Sequence, residues 1–230
     1  ILMTLIDKGT KILITDPQAG GHGSLPKLCD NLGIQYAPIP YDYMRMQIDY
    51  DGLNQILEQD SRVSFLFFCQ SDIIQPPELQ KINLPPQVGI IYDATQTLGL
   101  IAGGALPNPL EACQNIIMIG GTHKTFPSVT CGYVATNNDN YINRVKQNIS
   151  PNFLRNVQVN NITSVCLSML EMLKFGEAYA QKIIWTANAL GDALSGDGLR
   201  VKCTEDGAFS HTHQLFIEVC LLYTSDAADD

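Results

Sequence analysis

The chain has 230 residues, 45% hydrophobic and 16% charged, with 18 Gly and 12 Pro. That composition excludes collagen, disordered and simple coiled-coil chains and suits one large domain or one and a part. Fourteen Lys and Arg stand against 23 Asp and Glu, a formal net charge of −9, and without a basic cluster neither nucleic acid nor an anionic membrane surface is an expected partner. The longest apolar runs, such as Val63–Cys69, fall far short of the roughly 20 residues that span a bilayer.

Residues 220–230, CLLYTSDAADD, read as the in-frame translation of a sequencing-library adapter rather than as natural protein. Ile1 opens inside an apolar pattern, so residues 1–219 are expected to be an internal piece of a longer chain. The remaining cysteines, Cys29, Cys69, Cys113, Cys131, Cys166 and Cys203, form no CxxC pair and show no metal-ligand spacing with His. No metal is expected, and scattered thiols in apolar contexts suit a reduced, cytoplasmic enzyme.

Short apolar runs alternate with longer amphipathic ones, which predicts an α/β chain with a mainly parallel sheet. Strands are expected at Lys11–Thr15, Gln35–Ile39, Ser64–Cys69, Val88–Tyr92, Asn115–Ile119 and Gly132–Thr136, and short helices at Ser24–Leu32 and Asp51–Gln59. After Pro151 the spacing predicts two helices, Val157–Phe175 and Glu177–Leu194, broken at Gly176. Met169 and Met172, with Leu167, Leu170 and Leu173, are expected to pack in the helix interface, and Trp185 to lie in the core or an interface. Leu199–Cys203 and Gln214–Val219 read as strands opening another unit. The expected division is a partial large α/β domain over 1–150, connecting helices over 151–189, and the start of a smaller α+β domain over 190–219.

The chemistry concentrates at two strand ends. Ile90-Ile91-Tyr92 ends in Asp93, and Asn115–Ile119 runs into Gly120-Gly121-Thr122-His123-Lys124. Parallel sheets gather ligands at the carboxyl ends of their strands, so both groups are expected to face one crevice. A pocket lysine adds to a carbonyl as an imine, and an aspartate beside a pyridine nitrogen keeps it protonated, making the ring an electron sink. Together they describe a pyridoxal phosphate site. Each has a plainer reading, a helix N-cap for Asp93 and a solvated loop lysine for Lys124.

The stretch Tyr92-Asp93-Ala94-Thr95-Gln96-Thr97-Leu98-Gly99-Leu100-Ile101-Ala102-Gly103-Gly104, then Pro107-Asn108-Pro109 and Gly120-Gly121-Thr122-His123-Lys124-Thr125-Phe126, resembles serine hydroxymethyltransferase and its relatives among the fold-type I pyridoxal phosphate enzymes. The resemblance implies that Asp93, as the Asp of a D-x-A-H pattern, pairs with the pyridine nitrogen. It implies too that Lys124, as the Lys of T-H-K, carries the cofactor, with Thr122 and His123 beside the imine. Ala19-Gly20-Gly21-His22-Gly23-Ser24 resembles the family's glycine- and histidine-rich loop; His22 is then the ring stacker, although an ungapped alignment puts Leu25 there. Ser71 or Cys69 falls near the cofactor's phenolic oxygen, and Thr212-His213-Gln214-Leu215-Phe216 is similar to an N-H-L-F segment. The family's phosphate-binding serines would precede Ile1, and its substrate-carboxylate arginine would follow Val219. An amino acid substrate and a homodimer are also implied.

Two departures bear on the reaction. Gln96 stands where the family has His and hydrogen-bonds without carrying a proton. Pro127-Ser128-Val129-Thr130-Cys131-Gly132 replaces a glycine-rich G-P-R-G-G or G-P-Q-G-G loop. Both weigh against tetrahydrofolate as a second cofactor, and T-H-K-T-F brings the chain closer to transaldolase-like relatives. The expected reaction makes or breaks the Cα–Cβ bond of a β-hydroxy amino acid. The alternatives are another fold-type I activity such as transamination, and a degenerate homologue that binds cofactor or a partner without turnover.

Overall fold

The computed structural model describes residues 1–149 and 152–219; the adapter-like segment 220–230 lies outside the described residues. In chain order the elements are α1 (Leu2–Leu5), β1 (Lys11–Ile14), α2 (Ser24–Leu32), β2 (Gln35–Pro38), β3 (Tyr41–Asp42), β4 (Gln47–Ile48), α3 (Tyr50–Gln59) and β5 (Val63–Cys69). Then follow β6 (Gly89–Asp93), α4 (Leu98–Ala102), β7 (Ile116–Gly121), β8 (Gly132–Thr136), α5 (Asp139–Ile149), α6 (Val159–Gly196), β9 (Arg200–Val201) and β10 (Ile217–Glu218). Six strands form one sheet in the order β2-β1-β5-β6-β7-β8. All pairs are parallel except β7 with β8, as the alternation of apolar runs and helices leads one to expect.

Helices on both faces explain why the central strands are apolar without alternation. Leu66, Ile90 and Ile116 stand in register on one face, and Phe67, Ile91 and Ile117 on the other. Both rows are buried in separate clusters, one with Leu53 and Phe68, the other with Leu25 and Cys29. Asp49 caps α3 by accepting from the Gly52 amide at 3.0 Å, which orients that crossover toward β5.

The expected break at Gly176 does not occur, because α6 is one continuous helix of 38 residues. Gly176 serves close packing instead. A Cβ on Gly103, at the end of α4, would lie 2.3 Å from the Gly176 carbonyl oxygen and 2.5 Å from the Ala180 Cβ. The glycines thus let the two backbones touch. Gly103→Ala is expected to destabilise the chain by about 1–3 kcal/mol through overpacking. Gly176→Ala meets the movable Met172 Cε at 3.0 Å first and Gly103 Cα at 3.4 Å next, and its better helix propensity offsets part of that. Urea unfolding of the two variants checks this, and equal losses would contradict the close-approach argument.

The same seam accounts for a second difference. The residues α6 buries include Ser168, Met172, Gly176, Ala180, Ala187 and Gly191, mostly small. Of the expected packing group only Met172 is buried; Leu167, Met169, Leu170 and Leu173 are exposed, Leu173 by 85%. Trp185 is exposed on this chain and so lies outside its core, leaving the interface alternative, with the Lys182 ammonium 3.5 Å over its ring.

The strands expected over Leu199–Cys203 and Gln214–Val219 shorten to the two-residue pair β9–β10. Between them, residues 210–214 bind the loop after β5. Thr212 Oγ1 donates to the Ile73 carbonyl at 2.5 Å, the His211 amide donates to Ile74 at 2.9 Å, and Gln214 Nε2 donates to the Ser71 carbonyl at 2.9 Å. Among the described residues no helix is long and apolar enough to cross a membrane.

Candidate active site

The parallel strands β1, β5, β6 and β7 deliver their carboxyl ends to one edge of the sheet, where the loops carry the polar residues. After β1, Asp16 accepts from the Gln18 amide at 2.7 Å and starts a tight turn. Gly20 follows at φ +84°, and a Cβ there would sit 2.1 Å from the Asp72 carbonyl oxygen, so glycine answers both conformation and space. The loop thereby lies against the end of β5: the His22 amide donates to the Cys69 carbonyl at 2.9 Å, and the Ser71 amide to Gly20 at 2.8 Å. The His22 ring is held by Ser24, with 2.7 Å between Nδ1 and Oγ.

Asp93 ends β6 directly opposite Cys69. The Cys69 thiol reaches Asp93 Oδ2 at 3.5 Å. Burial pushes that thiol up to about 12, and the Asp93 charge adds to the effect, so near neutral pH it keeps its proton and donates. Asp93 Oδ1 accepts from the Thr95 amide at 2.9 Å and the Thr95 hydroxyl at 2.5 Å. Asp93, Cys69, His22 and Leu25 line one cleft of about 530 Å³ with apolar walls that include Phe67, Ile119 and Phe153.

The segment after β7 is fastened at several points. Thr122 is buried, and its hydroxyl donates to the Val129 carbonyl at 2.5 Å while accepting from the Cys131 amide at 3.1 Å. Thr125 Oγ1 donates to the Gln96 carbonyl at 2.8 Å and accepts from the Gly99 amide at 3.1 Å. Tyr179 of α6 donates to the Thr125 carbonyl at 2.9 Å, and Ser168 to Pro127 at 3.1 Å. His123 and Lys124 stand exposed between these anchors, the His123 ring lying against Gly121. Among the described residues the Lys124 amine makes no ion pair.

His213 stands close enough to feel the Lys124 charge. Burial pushes its imidazole below the ordinary value and Lys124 adds to that, while Nδ1 is buried without a hydrogen-bond partner. The folded ring is therefore held neutral, whereas in the unfolded chain it takes a proton near pH 6.5. Its stability contribution is present above about pH 6.5 and is lost as pH falls through the depressed folded value. His213→Phe is expected to flatten this acid limb in urea unfolding between about pH 5 and 7.5; an unaltered limb would contradict the assignment.

Of the residues singled out from sequence, His22 and Asp93 share the cleft, and Leu25, the competing stacker, lines it as well. Lys124 and His123 lie on the neighbouring loop rather than in the cleft wall. The Ser71 amide and carbonyl are spent on Gly20 and Gln214. Gln96 is tied through its carbonyl to Thr125, and the Thr122 hydroxyl is occupied by its own loop. Thr95 and Thr125 were not legible as site residues. Their signal is hydrogen bonding across 26 and 29 residues of sequence, to Gly121 and Gln96.

The sequence model of the aminotransferase class I and II family matches residues 1–215. The chain belongs to this family. Among curated proteins, this aminotransferase-family chain is 33% identical to the serine hydroxymethyltransferase of Sulfolobus acidocaldarius over 226 residues, 95% of this chain and 51% of that protein. It is also 33% identical to that of Aeropyrum pernix over 224 residues, again 95% of this chain and 50% of the relative. Among solved structures, L-threonine transaldolase from Pseudomonas fluorescens in its internal aldimine state superposes with a TM-score of 0.86 at 25% identity, covering 94% of this chain and 50% of that one. The chain thus spans about half the length of the relatives it matches. The fold is fold-type I, and the resemblance drawn from the Asp93 and Thr122-His123-Lys124 motifs holds at the level of the family.

Proposed function

We propose that this chain is part of a pyridoxal phosphate-dependent enzyme that makes or breaks the Cα–Cβ bond of a β-hydroxy amino acid. The observation that carries this reading is Asp93, a carboxylate fixed at a strand end in an apolar cleft, with the exposed Lys124 amine on the adjacent loop. The residues fit the cofactor. Asp93 Oδ2 meets only a thiol and so retains acceptor capacity for a ring N–H, and His22 and Leu25 line the same cleft, offering one flat and one apolar surface.

When bound, the cofactor supplies an electron sink for charge developing at the substrate Cα. Asp93 holds a proton at the ring nitrogen. The Lys124 amine would hold the cofactor's carbonyl carbon as its nucleophile and, when free, would serve as the base or acid for a proton at the substrate Cα. His123, beside it, is placed to orient the incoming amino acid. Thr122 and Thr125 keep Lys124 in place by closing the loop on either side, and the apolar walls of the cleft would exclude water from the reacting carbon. Gln96, near the same loop, donates and accepts hydrogen bonds without moving protons, which supports a folate-independent reaction. The Ser71 backbone holds the glycine loop against the end of β5, and its hydroxyl would serve near the cofactor's phenolic oxygen.

The exposed apolar residues of α6, Leu167, Leu170 and Leu173 among them, support a homodimer, which analytical ultracentrifugation tests. Six free cysteines among the described residues support a reduced, cytoplasmic setting. Residues 1–150 would form the body of the cofactor-binding domain and 190–219 the start of a smaller one. To test the reaction, serine, threonine and a 2-oxo acid are added separately to the full-length protein with cofactor. Release of glycine from serine or threonine alone is expected. Turnover only when a 2-oxo acid is supplied with an amino donor would replace this reading with transamination, and none with any substrate would leave a binding role.

A further inference from the structure

Asp93 is held by one side chain more than by any other. Gly121 of β7 donates its amide to Thr95 Oγ1 at 2.9 Å. A hydroxyl has a single proton, and an oxygen already accepting from Gly121 must send that proton elsewhere. The acceptor is Asp93 Oδ1 at 2.5 Å, which also takes the Thr95 amide at 2.9 Å. Oδ1 is thereby filled. Oδ2 carries only the long contact from the Cys69 thiol at 3.5 Å, a weak donor, and keeps an open acceptor position in the cleft that Asp93 lines.

We propose that Thr95 is a positioning residue: its hydroxyl, oriented by Gly121, fixes the Asp93 carboxylate so that Oδ2 alone is presented to the cofactor's ring nitrogen. The proposal rests on the pyridoxal phosphate reading above. It also couples the two halves of the site, because Gly121 is the last residue of β7 and leads directly into the Thr122-His123-Lys124 loop. Two β-branched substituents restrict the Thr95 rotamer, and charge-assisted hydrogen bonds to a carboxylate are stronger and shorter than neutral ones. The D-x-A-H pattern has alanine at this position, so the hydroxyl belongs to this chain rather than to the pattern.

The test compares two ligands on three forms of the chain: the original, Thr95→Val, which keeps shape and loses the hydroxyl, and Thr95→Ser, which keeps the hydroxyl. The ligands are pyridoxal phosphate and its 1-deaza analogue, in which C–H replaces the ring nitrogen, with equilibrium binding as the readout. Thr95→Val is expected to weaken pyridoxal phosphate by roughly tenfold or more while changing the deaza analogue by less than about twofold; Thr95→Ser restores the preference. In the unloaded chain, amide exchange at Gly121 is expected to speed up in Thr95→Val and recover in Thr95→Ser. Equal losses for both ligands, or none, would overturn the positioning role and leave the function reading intact. An original chain that binds both ligands equally would overturn the Asp93 assignment in that reading, and the positioning role with it.

Discussion

Replacing Lys124 with alanine is expected to abolish turnover in the full-length protein, a loss of at least about 10⁴-fold, because nucleophilic attachment and proton transfer go together. The loss belongs to chemistry rather than folding. Lys124 is exposed and its amine forms no ion pair among the described residues, so the unfolding midpoint should stay within about 2 °C of the original. The anchors on either side do not involve its side chain: Thr122 closes on Val129 and Cys131, and Thr125 on Gln96 and Gly99. Lys124→Arg keeps the charge, but its guanidinium stays protonated and cannot act as the nucleophile; it should be as inactive as the alanine variant. Steady-state kinetics beside thermal unfolding decides the matter. Activity in either variant would remove Lys124 from the mechanism.

The second large effect is expected at Asp93. Asp93→Ala should lower turnover by roughly 10²- to 10³-fold, the size usually seen when one charge-stabilising group leaves an active site. The carboxylate is half-buried and built into the sheet edge, so its removal also frees Thr95 and Cys69 from their acceptor. Asp93→Asn separates the two consequences. The amide keeps the shape and a hydrogen-bonding oxygen but loses the negative charge that holds a proton at the ring nitrogen. If charge is the operative property, the asparagine variant falls in rate nearly as far as alanine while retaining stability. Rates close to the original in Asp93→Asn would show that hydrogen bonding alone suffices.

Much of this was legible because the decisive strands are buried on both sides. Val63–Cys69 and Gly89–Asp93 carry no solvent face, so their apolar runs stand out without periodicity, and the residues that end them are conspicuous by contrast. Helix α5 was not legible. It is largely polar, only Val145 is fully buried, and Asn138 starts it by accepting from the Asn140 and Tyr141 amides. Gly176 misled for a different reason: glycine in a helix reads as a stop, yet here it answers a contact with Gly103 that lies 73 positions earlier in the chain. The large side chains of α6 misled in the same way, since the helix packs through its small residues and leaves its leucines outside.

The site divides along the same line. Asp93 and Lys124 are visible because they sit at the ends of apolar strands, a local signal. Thr95 matters through the Gly121 amide, and His213 through burial near Lys124, and neither relation exists until β6 and β7 are paired and residues 210–214 close over the loop after β5.

The most direct test of the central claim is chemical. The protein is incubated with pyridoxal phosphate, reduced with borohydride, digested, and the modified peptide mapped by mass spectrometry. The expected result is a single pyridoxyl group on Lys124, absent from Lys124→Ala. Labelling spread over several lysines, or none at all, would contradict the assignment of this loop as the site where the cofactor is held.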